Sequence, residues 1–360
     1  MDNAASFQSC MDLADQLPYG KERILTREKA MNLADLLGQE SDMYEARIQY
    51  VEDLCKAGGY SEKYFSVFPW LLDYAHKKGD PNERMYVLLY YKWVILEMGN
   101  YPSVSKAQME AALQDLRTRY VDFGSNEKVY HQYAYSVYAD NLKDLNGAQF
   151  HYTKWLKFKK RDKLDDCEAC VTNRHVSLLI NLRELEKAMR VAAPILAGKQ
   201  ICTHVPKDTW SSLLLPLYTK GDLETSKLLA EKLSRKLASM KYDSNVAPAH
   251  TLIIYYTKVQ EYLKAVKWLE KFFPIAIDQK ELNGKFFFYT AATYLFGHLP
   301  KETVKLRLPR SFALFSSSGV YIVHTLTQWF DNEANKIAEL FDKRNGNTGY
   351  SQQKQELLNR

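Results

Sequence analysis

Glycine and proline are scarce in this chain of 360 residues, at 15 and 11. The prolines fall mostly between apolar-periodic stretches, which implies short connections between long helices and points to an all-α fold. No run reaches the ~18–20 apolar residues that a bilayer crossing needs. The densest patch, Phe286 to Phe296, is short and broken by polar residues, so no membrane partner is expected. The start, Met1-Asp2-Asn3, is acidic and polar, unlike the basic and then apolar start of a secretory signal. Cysteine numbers five, an odd count that suits a reducing compartment better than a disulfide framework, so the expected location is cytoplasmic. Also missing are HExxH, GxSxG, a strand followed by a glycine-rich phosphate loop, and a kinase-like set. Residues Asp342 to Asn347 lack the alternating oxygen ligands and closing Glu of a calcium loop. A non-enzymatic protein without an obligatory cofactor is the expectation.

What the chain does have is enough apolar content, 46%, to bury a sizeable core, with 26% charged residues and a mild formal charge of +6. That excess favours anionic partners in general and identifies none. One pattern recurs: an aromatic-rich helix, a short polar turn, then a second helix with a small residue near its start. The small residues are Ala148, Ala188, Ser226 and Ala265, spaced 40, 38 and 39 residues apart. Such a period marks a repeated supersecondary unit. The small side chain has a physical reason, because two antiparallel helices approach closely only where one side chain is shortened at their crossing. Turns such as Lys220-Gly221-Asp222 combine a residue suited to the left-handed cap with an Asp that caps the next helix.

On Trp210, Gly221-Asp222 and Ser226 the chain resembles the tetratricopeptide repeat family, over roughly residues 129 to 275 and more weakly back to hairpins around Ala46 and Tyr86. Its period is longer than the thirty-four residues of that family, and Pro216 interrupts one helix. The resemblance implies a right-handed superhelical solenoid of stacked antiparallel helical hairpins. The expected organisation is an N-terminal helical region over 1–124, a repeat array over 125–275, a helical cap over 276–345 and a flexible tail over 346–360. Within it, SVSKAQMEAALQDLRTRY reads as an extra amphipathic helix capped by Ser103 or Ser105. KLRLPRSFALF suggests a short extended excursion, and the stretch from Tyr321 to Arg344 a closing amphipathic helix.

Three places can carry chemistry. In the first, Asp165 and Glu168 have capping-box spacing, which puts Cys167 and Cys170 in the first turns of a helix and on one face. Cys202 and His204 precede the equivalent helix of the next repeat. Stacking in register would bring the four side chains together, as zinc requires; the alternatives are a redox pair and plain reduced core cysteines. His175, one turn beyond Cys170, is a substitute ligand. In the second, Lys154 to Lys163 interleaves basic and aromatic residues, which suits RNA, although Trp155 and Leu156 fall at core positions and argue against nucleic acid. The third follows from the resemblance, which directs Tyr130, Tyr133, Asn173, Ser177, Ser211, Tyr218 and His250 into a concave groove for a protein or peptide. Tyrosine suits such a surface, with a large apolar body and a hydroxyl. A bacterial peptide-sensing regulator is one version of that reading, with residues 1 to 124 as the effector region. No basic recognition helix stands out there for direct DNA binding.

Overall fold

Helical periodicity with few breakers produces seventeen α-helices among the described residues of the computed structural model, which are 3–57, 62–240 and 246–359. The first eight are α1 (Asn3–Gln16), α2 (Lys21–Leu37), α3 (Glu40–Ala57), α4 (Tyr64–Lys77), α5 (Pro81–Met98), α6 (Lys106–Asp122), α7 (Lys128–Ser136) and α8 (Leu145–Trp155), with a π-helical turn, Val137–Asn141, after α7. They belong to one compact unit that ends at Leu164 and also takes in Gln279–Leu282. The second unit begins at Asp165. It holds α9 (Glu168–Asn181), α10 (Leu185–Leu196), α11 (Lys207–Lys220), α12 (Leu223–Ser239), α13 (Ala247–Lys258), α14 (Tyr262–Asp278), nearly all of α15 (Leu282–His298), α16 (Val323–Asn345) and α17 (Gly349–Asn359). The first unit therefore extends past the boundary expected at residue 124.

In both units consecutive helices pack neighbour to neighbour, as in an all-α solenoid. In the second, α9 also packs against α11 and α11 against α13, so the first helices of successive hairpins lie side by side. The extra helix is α6, and its cap is Ser105, whose hydroxyl accepts the Gln108 N–H while the Gln108 side chain accepts the Ser105 N–H. The extended excursion is a two-stranded antiparallel ribbon, β1 (Thr303–Lys305) with β2 (Val320–Ile322), pairing Val304 with Tyr321. It flanks the KLRLPRSFALF stretch more than it occupies it. The tail does not fray: Tyr350 of α17 is fully buried and stacks on Phe341 of α16 at 4.4 Å.

The small residues occupy equivalent places in their hairpins. Ala148, Ala188, Ser226 and Ala265 are all buried. Each donates its backbone N–H to the carbonyl of the acidic residue four positions earlier: Asp144 at 3.0 Å, Glu184 at 2.9 Å, Asp222 at 3.1 Å and Glu261 at 3.2 Å. Those acidic residues follow a residue of positive φ: Lys143 (55°), Arg183 (60°), Gly221 (90°) and Gln260 (59°). Three of the acidic N–H groups reach back five residues, to the Leu179, Leu217 and Tyr256 carbonyls. This is the closing bond of a helix ending in a left-handed residue. Asp144 reaches back six, to Tyr138, because the π-helical turn inserts one residue before it.

Only one of these four turns uses glycine, although the left-handed region costs an L-residue about 1–2 kcal/mol. Replacing the side chain by glycine removes that strain and adds about 0.4–1 kcal/mol of unfolded-state entropy cost. Arg183→Gly and Gln260→Gly are therefore each expected to stabilise the protein by roughly 0.5–1 kcal/mol, read as a higher urea midpoint. A lower midpoint in both would mean that the side chains, not the backbone, hold these turns.

Candidate functional site

A cleft of about 490 Å³ opens in the first unit. Its walls come mainly from α3 and α5, the first helices of two neighbouring hairpins, with Asp15 of α1 and Arg23 of α2 also lining it. On α3 the residues Glu45, Gln49 and Glu52 recur at i, i+4 and i+7 and so share one helix face. Tyr44 and Ile48 supply apolar wall on the same helix, and Asn82, Glu83 and Tyr86 come from the first turns of α5. Glu83 is fixed there by a capping box: its side chain accepts the Asp80 N–H at 3.0 Å while Asp80 accepts the Asn82 and Glu83 N–H groups.

Five carboxylates, Asp15, Glu45, Glu52, Asp53 and Glu83, line this cleft; Asp15 and Asp53 pair with Arg23 and Arg27 and Glu52 with Lys56, so Glu45 and Glu83 are the acidic groups it offers a ligand. Asp53 is committed to structure, bonded to Arg23 at 2.7 Å and to the fully buried Arg27 at 3.1 Å. Burial raises its carboxyl above the ordinary range, outweighing the lowering by the two arginines. Burial also raises the Tyr44 phenol well above its usual value, and the Glu83 and Glu45 charges add to the effect. Its hydroxyl therefore stays neutral, and its ring is fixed by stacking on Tyr74 at 5.1 Å. Tyr86 is exposed and packs edge-on against Tyr90 at 5.5 Å. Acidic oxygens beside exposed aromatic surface suit a cationic side chain, which gains both charge pairing and ring contact. None of these wall residues was read from sequence as a binding position, Tyr86 having marked only a hairpin; the signal was the acidic i, i+4, i+7 spacing on α3, which also fits a plain solvated helix face.

The residues expected to bind a partner divide between the units. Tyr130 and Tyr133 are core residues of the first: Tyr130 accepts a hydrogen bond from Gln114 at 3.2 Å, and Tyr133 is fully buried with the Lys92 ammonium 5.5 Å from its ring. They are corrected to structural positions, because every residue of α7 is buried and no face of it reaches solvent. Asn173, Ser177, Ser211, Tyr218 and His250 are half-buried on α9, α11 and α13. Four of them join neighbouring first helices. Asn173 accepts from Thr209 at 2.6 Å, and Ser211 pairs with Thr251 at 3.0 Å. The Tyr218 hydroxyl lies 3.4 Å from the Lys258 carbonyl, and His250 stacks on Phe287 at 5.2 Å. The Lys258 ammonium in turn reaches the Tyr294 hydroxyl of α15 at 3.2 Å.

The cysteine constellation forms in part. Cys167, Cys170 and Cys202 bring their sulfurs within 4.8 Å of one another, with Cys170 and Cys202 at 3.3 Å. His204 is exposed and stands outside this group, as does His175 on α9. The expected Asp165 capping box does not start the helix: Cys167 itself is the N-cap residue of α9, with no side-chain cap bond. Burial, then hydrogen bonding from Cys202 and Cys167, pushes the Cys170 thiol far up.

In the basic run, the core position expected for Leu156 is corrected. Helix α8 ends at Trp155, and Lys157, Lys159, Lys160 and Arg161 lie exposed on the irregular segment that follows. Trp155 is buried as expected, but Leu156 is 52% exposed because the helix ends one residue before it. With its Trp in the core, this run offers little ring surface for stacking bases.

No family model matches the chain, and no curated protein sequence does either. Among the described residues, no helix is long and apolar enough to cross a membrane.

Proposed function

We propose that the chain is a non-catalytic interaction protein of tetratricopeptide-like hairpins, which binds a protein or peptide partner through the faces of its first helices. The observation that supports this most is the cleft between α3 and α5, where five carboxylates and two tyrosines surround about 490 Å³. A segment rich in lysine or arginine is the partner chemistry that fits it, since carboxylates left without a cation on binding would be desolvated at a cost.

Fluorescence anisotropy with labelled peptides of basic, neutral and acidic composition tests this. Basic peptides are expected to bind, more weakly as salt rises. Glu45→Lys and Tyr86→Ala, both at exposed positions, should each weaken binding about tenfold, or about 1.4 kcal/mol. Binding that is equal for all compositions, or unchanged in both variants, would refute the proposal.

A further inference from the structure

We propose that Cys167, Cys170 and Cys202 form a zinc site with three thiolate ligands and an open fourth position. The three sulfurs come from two segments far apart in sequence, the start of α9 and the loop before α11, yet lie within 4.8 Å of one another. Zinc–sulfur bonds of about 2.3 Å in a tetrahedral arrangement put sulfurs roughly 3.8 Å apart. The contact of 3.3 Å between Cys170 and Cys202 and the 4.8 Å limit bracket that separation.

Local structure holds each ligand. Cys167 is the N-cap and Cys170 lies in the first turn, so both stand at the N-terminal end of α9. Cys202 is held by a small closed loop: its N–H donates to the Val205 carbonyl at 2.9 Å, and the Val205 N–H donates to its sulfur at 3.4 Å. A backbone N–H directed at sulfur stabilises the thiolate that a metal needs, the outer support expected of a ligand. Beneath lie Ala169, Ile195 and Val205, a small apolar cluster against which Cys170 and Cys202 pack. Cys167 is exposed, which gives an ion a path in. A plain thiol pair would need only two of these sulfurs. Binding exchanges three S–H protons for one Zn²⁺, with the protons released to solvent, and water takes the fourth position.

The test uses the full chain, reduced and then freed of reductant, loaded with Zn²⁺ and passed through a desalting column before elemental analysis. One zinc per chain is expected in the wild type, in Cys10→Ser and in His204→Ala, with less than about a tenth of that in Cys167→Ser and Cys202→Ser. Helical circular dichroism checks that each variant is folded, and Cys167→Ser, at an exposed position, keeps the test valid if Cys202→Ser is not. Zinc should also raise the thermal midpoint of the wild type and leave that of Cys167→Ser unchanged. Folded wild type that retains no zinc, or Cys167→Ser that retains as much, overturns the proposal. Loss of zinc in His204→Ala overturns the open fourth position.

Discussion

Asp53→Ala is expected to destabilise the protein by about 3–5 kcal/mol, the range for removing one partner of a buried ion pair. The Arg27 side chain has no exposed surface, and that of Asp53 is 2% exposed. Asp53 places one oxygen on Arg27 at 3.1 Å and the other on Arg23 at 2.7 Å, tying α2 to α3. Asp15 of α1 also meets Arg27, at 2.5 Å, but it is 57% exposed, and a solvated carboxylate offsets little of a buried charge. The remaining groups at Arg27, the Met11 carbonyl at 3.4 Å and the Met11 sulfur at 3.2 Å, are neutral acceptors. Alanine would therefore leave the buried guanidinium with the solvated Asp15 as its remaining carboxylate. The double variant Arg27→Met, Asp53→Leu should recover most of the loss, because a packed apolar pair carries no desolvation cost. Urea unfolding followed by circular dichroism measures both. A loss below about 1 kcal/mol for Asp53→Ala would mean that water reaches Arg27 freely.

The hairpins were legible from the sequence because one buried small residue per repeat is a strong constraint, and Ala148, Ala188, Ser226 and Ala265 are buried. Their turns were hidden. Lys143, Arg183 and Gln260 occupy left-handed positions that sequence reasoning assigns to glycine, and only Gly221 gave the signal. Cys202 came to the end of α9 as stacked repeats imply, whereas His204 did not, since the Cys202–Val205 loop leaves its ring exposed. Tyrosine was the least informative residue. Its amphipathic side chain suits both a groove and a core, and the neighbours that buried Tyr130 and Tyr133, such as Gln114 and Lys92, lie at least sixteen residues away. The cleft was missed for the opposite reason: its carboxylates sit on helices whose polar faces look ordinary until α3 and α5 are placed side by side.

The segment after Gly346 shows how a polar composition conceals an anchored helix, and Tyr350→Ala should expose that anchor at a cost of about 3–5 kcal/mol, as for other large buried aromatics. The Tyr350 ring packs on Phe341 at 4.4 Å and edge-on against Phe286 at 5.2 Å, and its hydroxyl donates to Asn283 at 2.9 Å. Truncation to alanine would leave a cavity against α15 and α16. Two further features hold α17 in register. Asp342 accepts the Tyr350 N–H at 2.8 Å and the Ser351 N–H at 3.1 Å, satisfying donors at the helix start. Lys354, 2% exposed, reaches Asp331 at 2.6 Å and Asn335 at 2.5 Å, so even a lysine contributes to the buried face. Tyr350, Lys354 and Leu357 stand at i, i+4 and i+7, a helical stripe that a purely apolar pattern does not register. Tyr350→Phe isolates the hydroxyl, which bonds the Arg344 side chain as well as Asn283, and should cost about 1–2 kcal/mol, less than loss of the whole ring. Thermal or urea unfolding ranks the two variants. If Tyr350→Ala is no more harmful than Tyr350→Phe, the ring does not anchor α17, and the segment behaves as the frayed tail that its composition suggests.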